Sequence, residues 1–242
     1  MEPEFIVPEW PAPASVGALS TTRIGGVSAA PWKSFNLGDH VGDDPEKVME
    51  NRRILKRAAG LSVAPHWLEQ VHGCRVMSEH QSACQADASY SQGAGKVCAV
   101  LTADCLPVLF CNQEGTAVAA AHAGWRGLAA GVLESTLACF EDPPSCILAW
   151  LGPAIGPQHF EVGAEVRRAF LSRQPEADCA FRPNGQDKWL ADIWKLARLR
   201  LAAAGVTRVY GGGRCTFTEE QKFFSYRREG QTGRMASLVW LQ

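Results

Sequence analysis

The sequence predicts an α+β (mixed α/β) fold: a single domain over residues 1–242, with mixed β-sheets covered by helices in an αββα-like layering. Three observations lead there. Strand-like and helix-like segments alternate irregularly, without the regular repeat of a barrel or a doubly wound sheet. The centre holds several apolar runs of strand length. No repeat, linker or low-complexity segment divides the chain. At 242 residues, with 46% hydrophobic and 20% charged residues, the chain can bury a substantial core, and eight tryptophans give it large apolar anchors.

Taken in order, Pro3 to Pro13 is proline-rich and reads as an extended lead-in. Thr21 to Ser28 (TTRIGGVS) is a glycine-bearing turn, and SFNLGDHVGDDP after it is too rich in Gly and Asp to be regular. Asp43 and Asp44 before Pro45 suit the first turn of an amphipathic helix that runs through Val48, Ile54 and Leu55 and stops at Gly60. Short strand-like pieces, Trp67 to Val71 and Val76 to Met77, flank His72 and Gly73.

Val97 to Thr102, Pro107 to Cys111 and Ala117 to His122 are apolar runs of strand length, parted by ADC and by the turn signal NQEG. A helix is expected from about Leu128 to Phe140, stopped near Pro143 and Pro144, and then a buried strand over Ile147 to Leu151. Further helices are expected from about Val162 to Ser172 and from Leu190 to Ala204, the second closing at Gly205. Val206 to Tyr210 and Ser237 to Leu241 read as the last strands.

Bulk chemistry excludes several classes of function. Twenty-four Lys plus Arg nearly balance twenty-five Asp plus Glu, so no overall field favours nucleic acid or an acidic membrane, and any bound anion must be held locally. MEPEFIVPEW places acids and prolines where a signal peptide needs a basic start and an apolar run, and no segment approaches the roughly 18 apolar residues of a membrane span. Nine unevenly spaced cysteines without a CxxC pair argue against a disulfide framework or a zinc ribbon. A reducing, cytoplasmic setting fits them. Cys98, Cys111, Cys139 and Cys146 lie in apolar segments, where a cysteine behaves as a small buried hydrophobe.

Cys105 in LTADCLP and His122 in AAAHAGWRG each end a small apolar run, so a thiolate and an imidazole can converge there. Two chemistries are open to them. With His72 of EQVHG they make three N/S donors from separate segments, the number that leaves a fourth position of a catalytic metal open. Alternatively Cys105 is a nucleophile and His122 its base. Asp104 reads as a ligand orienter or a turn former, and Glu69 as a proton carrier or a surface acid. Arg23, Arg126, Arg227, Arg228 and Arg234 stand near glycines and suit an anion such as phosphate. No P-loop or dinucleotide fingerprint is present. A multicopper centre needs paired histidines, and all six here are isolated, with His40, His66, His80 and His159 spread along the chain.

The motifs TTRIGGVS, SFNLGDHVGDDP, NRRIL, LEQVHG, ADASYS, LTADCLPVLF, AAAHAGWRGL, LGPAIGPQHFEVG and FFSYRREGQTGRMASLVWL together resemble the bacterial YfiH-type family, also called laccase-domain or polyphenol oxidase proteins. The resemblance covers essentially the whole chain. It implies a zinc site carried onto His72, Cys105 and His122, with those residues catalytic, and phosphorolysis of adenosine, inosine, guanosine and methylthioadenosine to the free base and a ribose 1-phosphate. Adenosine deamination is implied as a further activity. Arg23, Asn36, Arg126 and Arg227, in polar loops of the matching motifs, become the expected contacts to nucleoside or phosphate. A copper-dependent polyphenol oxidase, a Cys/His hydrolase and a peptidoglycan-precursor editing factor stay as alternatives, with copper as an adventitious or alternative metal. This chain lacks the HxE and PCxxC signature of the nucleobase deaminases.

Overall fold

The computed structural model describes residues 2–78 and 85–242; His80 lies outside them. The chain opens with β1 (Phe5–Ile6) and β2 (Val16–Thr21), then enters α1 (Pro45–Ala58). Asp44 caps α1 by accepting from the Glu46 amide, and Pro45 takes a first-turn position where no amide hydrogen is needed. β3 (Val76–Met77), β4 (Ala88–Ser91), β5 (Val97–Thr102), β6 (Leu106–Asn112) and β7 (Val118–Ala123) follow closely. Next come α2 (Trp125–Ala130), α3 (Val132–Leu137), β8 (Ile147–Leu151), β9 (Glu161–Gly163) and α4 (Ala164–Leu171). β10 (Phe181–Pro183), β11 (Lys188–Ala191), α5 (Ile193–Ala203), β12 (Arg208–Gly211), α6 (Tyr226–Glu229) and β13 (Met235–Leu241) complete the order.

Two main sheets pack face to face. One has the order β1-β2-β13-β5 and is antiparallel throughout; the other has the order β12-β8-β6-β7-β4-β3, with parallel pairs at its two ends. Successive residues of a strand point to opposite faces, and here both faces are covered. Val97, Ala99 and Leu101 of β5 join Leu55 of α1 on one side, while Cys98 and Val100 join Leu109, Val118 and Ala120 between the sheets. On the far side of the larger sheet, Val108, Phe110 and Ala119 pack with Leu133, Val166 and Leu196 from the helices. The order helix, sheet, sheet, helices is the αββα layering expected. Among the described residues no helix is long and apolar enough to cross a membrane.

Several boundaries differ from expectation for local reasons. The helix expected over Leu128 to Phe140 is two helices, α2 and α3, because Gly131 turns the backbone to φ 110°, a region open to glycine and costly for other residues. The helices expected from Val162 and Leu190 start later, at Ala164 and Ile193, because those two residues are taken into strands. Trp189 pairs with Val162 and Leu190 with Glu161, forming a small third sheet with β10. Asp192 then caps α5 through the Lys195 amide. Trp67 to Val71 is no strand. Bridges occur at His66 and Glu69 alone, and the Gln70 side chain takes the place of backbone by exchanging bonds of 2.8 and 2.7 Å with Leu101.

Candidate metal centre

Cys105 sits where the chain passes from β5 in one sheet to β6 in the other, a crossing of only three residues at the edge of the sandwich. His122 is the penultimate residue of β7, and its period-2 position continues the inter-sheet face of Val118 and Ala120. His72 comes from the loop before β3, at φ 62°, an uncommon value for a residue with a Cβ. Three segments distant in sequence therefore meet. The candidate donor atoms of His72, Cys105 and His122 all lie within 4.8 Å of one another, with Cys105 Sγ 3.9 Å from His72 Nε2. The imidazoles are edge-to-face, with centroids 4.8 Å apart. His122 is buried, Cys105 half-buried and His72 exposed, so the group opens to solvent on the His72 side.

Asp87 builds this arrangement. Its carboxylate accepts amide bonds from Val71 (3.2 Å), His72 (2.9 Å) and Gly73 (2.6 Å), which holds the loop at its unusual φ. The same carboxylate meets His122 Nδ1 at 2.8 Å. A proton shared there leaves Nε2 as the nitrogen facing the cluster, the usual way a carboxylate orients a metal-binding imidazole. Asp87 is fully buried, and its carboxyl lies below the ordinary range: burial opposes ionisation, but His122 and the Gly73 and His72 amides outweigh it.

The thiol and imidazole reinforce one another. Burial alone would push the Cys105 thiol up, but the His122 charge and hydrogen bonds from His122 and His72 bring it down to about 6. Burial would lower His122, yet the Cys105 thiolate and then Asp87 raise it to about 9. Each charge thus favours the other: the imidazolium stabilises the thiolate, and the thiolate the imidazolium. Gly124 keeps the space between the donors clear: a Cβ there would lie 3.0 Å from Cys105 Sγ, 3.0 Å from His72 Cδ2 and 3.5 Å from His122 Nε2. Gly127 serves α2 in the same way, since a Cβ would meet the Gly73 carbonyl at 2.9 Å.

The family model described as multi-copper polyphenol oxidoreductase laccase matches residues 17–242. The chain belongs to this YfiH-type, laccase-domain family. Among its relatives, the protein named purine nucleoside phosphorylase YfiH of Escherichia coli is 61% identical over 241 residues, covering 98% of this chain and 99% of that one. A purine nucleoside phosphorylase of Pseudomonas aeruginosa is 57% identical over 240 residues, covering 98% of each. The crystal structure of a Neisseria meningitidis protein superposes with a TM-score of 0.94 at 53% identity, covering 98% of this chain and 99% of that one. YlmD from Geobacillus stearothermophilus gives 0.86 at 34% identity, covering 95% and 93%.

Within this YfiH-type chain the other expected site residues fall at different depths. Arg227 donates its amide to Asp104 (2.7 Å) and is exposed, with its guanidinium 3.3 Å from the His159 carbonyl. Asp104 itself, at φ 89°, is held by Thr216 (2.6 Å) and by that amide, so it fixes the corner before Cys105. Arg126 is exposed at the start of α2, stacked 4.5 Å over Trp125. Arg23 bonds Glu229 and three carbonyls, stacks over Phe224 and lines a cavity of about 820 Å³ with Lys33 and Lys222. Asn36 is fully buried and bonds Gly38, Asp43 and the Arg234 amide. Glu69 is exposed and takes a bond from Gln85. Asp87 and Gly124 were missed as site residues; the ADASYS motif, an acid entering a buried strand, was the signal for the first.

Proposed function

We propose that this chain is a zinc-dependent purine nucleoside phosphorylase of the cytoplasm. It would cleave adenosine, inosine and guanosine with phosphate to the base and ribose 1-phosphate, and methylthioadenosine to adenine and methylthioribose 1-phosphate, with adenosine deamination as a second activity. The observation that carries the reading is the open three-donor cluster braced by Asp87, in a chain 61% identical to a relative bearing the phosphorylase name.

The residues fit zinc. Two imidazoles and a depressed thiol are borderline-soft donors, and tetrahedral zinc places such donors about 3.3–3.6 Å apart, a modest contraction from the distances here. A single added Cβ at Gly124 would crowd the cradle. When bound, zinc supplies a Lewis acid that stabilises negative charge on a departing purine or acidifies a water for deamination. His72, Cys105 and His122 would hold it, and Asp87 keeps the His122 proton on Nδ1. Arg126 and Arg227 are assigned to substrate, while Arg23 and Asn36 act through the loops they tie down.

Inosine assayed with and without phosphate tests this reading. Hypoxanthine should appear only with phosphate, His122→Ala should abolish it, and elemental analysis should find about one zinc per chain. Base release at one rate in both conditions would make the protein a hydrolase instead. A second reading has its own support: Cys105, His122 and Asp87 also form a nucleophile, a base and an orienting carboxylate. In that case alkylation of metal-free protein would abolish activity and chelation would not.

A further inference from the structure

We propose that Arg234 is the oxyanion-binding residue beside this centre and that its ligand is inorganic phosphate. The identity of the anion rests on the phosphorylase reading; the anion site itself rests on geometry. Met235 pairs with Thr102 at the end of β5, so the next position along places Arg234 across from Ala103, just before Asp104 and Cys105. Arg234 is anchored there at three points, two on its backbone and one on its stem. Its amide donates to Asn36 Oδ1 at 2.9 Å, its carbonyl accepts from Leu37 at 3.1 Å, and its stem lies against Gly38, where a Cβ would come within 2.7 Å of Arg234 Cγ.

What the guanidinium lacks, among the described residues, is a carboxylate in ion-pair contact. Arg23 and Arg228 share Glu229, Arg52 has Asp39, and Arg214 has Glu219. Among the described residues Arg234 has no such ion pair; one terminal nitrogen donates to the Thr232 and Gly233 carbonyls, both at 3.0 Å. In that antiparallel register Arg234 stands opposite the residue two before Cys105, which brings it alongside the segment that carries the thiol. Asp104 does not quench it by contact, because both its oxygens are engaged, by Thr216 and by the Arg227 amide. The ring of Tyr226, 61% exposed, lies 5.9 Å from the guanidinium carbon and covers part of it. A half-buried arginine with a fixed backbone, free fork nitrogens and no carboxylate is suited to a planar, bidentate grip on an oxyanion.

The test is calorimetric titration of the zinc-containing protein with inorganic phosphate, and in a separate arm with a purine nucleoside 5′-monophosphate. Wild type should bind phosphate, Arg234→Gln should weaken it by about tenfold or more, and Arg234→Lys should fall between, all with unchanged zinc content. Gly38→Ala, which leaves Arg234 in place but crowds its stem, should also weaken phosphate and keeps the test alive if Arg234→Gln does not fold. Equal phosphate affinity in wild type and Arg234→Gln overturns the proposal, as does wild type that binds only the monophosphate. Phosphate binding lost in Arg234→Gln without any phosphorolysis in wild type would sink the phosphorylase reading and leave this site standing. Phosphorolysis with an unchanged KM for phosphate in Arg234→Gln would do the reverse.

Discussion

Two carboxylates, Asp87 and Glu229, organise this molecule by similar means and to different ends. Each gathers donors from segments far apart in sequence, and each is held below its ordinary carboxyl range despite the opposing effect of burial. Glu229 accepts from Arg23, Arg228 and Thr232, all of which end their reach inside the fold. Asp87 accepts from three loop amides and from His122, whose second nitrogen remains turned toward Cys105. One carboxylate closes a loop; the other leaves a nitrogen facing the thiol of the donor cluster. A buried acid therefore signals chemistry when one of its partners turns a second polar end toward other donor atoms.

The largest effect that separates the two should come from Asp87→Ala. It leaves three loop amides and a buried imidazole without their acceptor, a loss of about 3–5 kcal/mol by analogy with broken buried pairs. Zinc affinity should fall about 10- to 100-fold as the imidazole loses its orienting partner. Urea denaturation and metal titration read the two losses separately. Wild-type zinc affinity in Asp87→Ala would end the comparison, because Asp87 would then be doing what Glu229 does.

Gly124→Ala is the intermediate case, aimed at the cluster with no charge removed. The added carbon lands on Cys105 Sγ and His72 Cδ2, and overpacking of this kind costs about 1–3 kcal/mol. Metal occupancy should drop while phosphate titration of the Arg234 site changes little. If zinc content is untouched, the space Gly124 preserves is not the space the metal needs.

Much of the fold was legible because the central strands are buried on both faces. Val97 to Thr102 and Ile147 to Leu151 read as unbroken apolar runs for that reason. β9, β10 and β11 were illegible because each spans only three or four residues with exposed positions, so their pairing is created by tertiary contact and leaves no run. The helix break at Gly131 was hidden in an otherwise continuous apolar pattern. At the site, chemistry made His72, Cys105 and His122 candidates with two readings open, and the family resemblance, not their spacing, joined them as one metal site. Asp87 did not stand out, since its partners lie 14 to 35 positions away and an acid between two alanines looks like a turn former. Arg227, Arg228 and Arg234 look alike in sequence; only the fold shows that Arg228 is wrapped in carbonyls of Thr216, Phe217 and Phe223.

Glu229→Gln should have the smallest effect of the three. The substitution keeps the shape and removes the charge, so it should cost about 1–3 kcal/mol, the range for weakened charge-assisted hydrogen bonds, with zinc content unchanged. Its pH dependence has a definite sign. The folded carboxyl lies below its ordinary value of 4.5, so the unfolded chain takes up the proton first as the pH falls. The stability Glu229 adds is thus complete above 4.5 and fades as the pH drops through the lower folded value. Wild type and Glu229→Gln should differ most near neutrality and converge in acid, as followed by denaturation midpoints across that window. A gap that stayed constant into acid would mean the carboxylate acts by shape rather than charge, and that Glu229 differs from Asp87 in kind as well as in its partners.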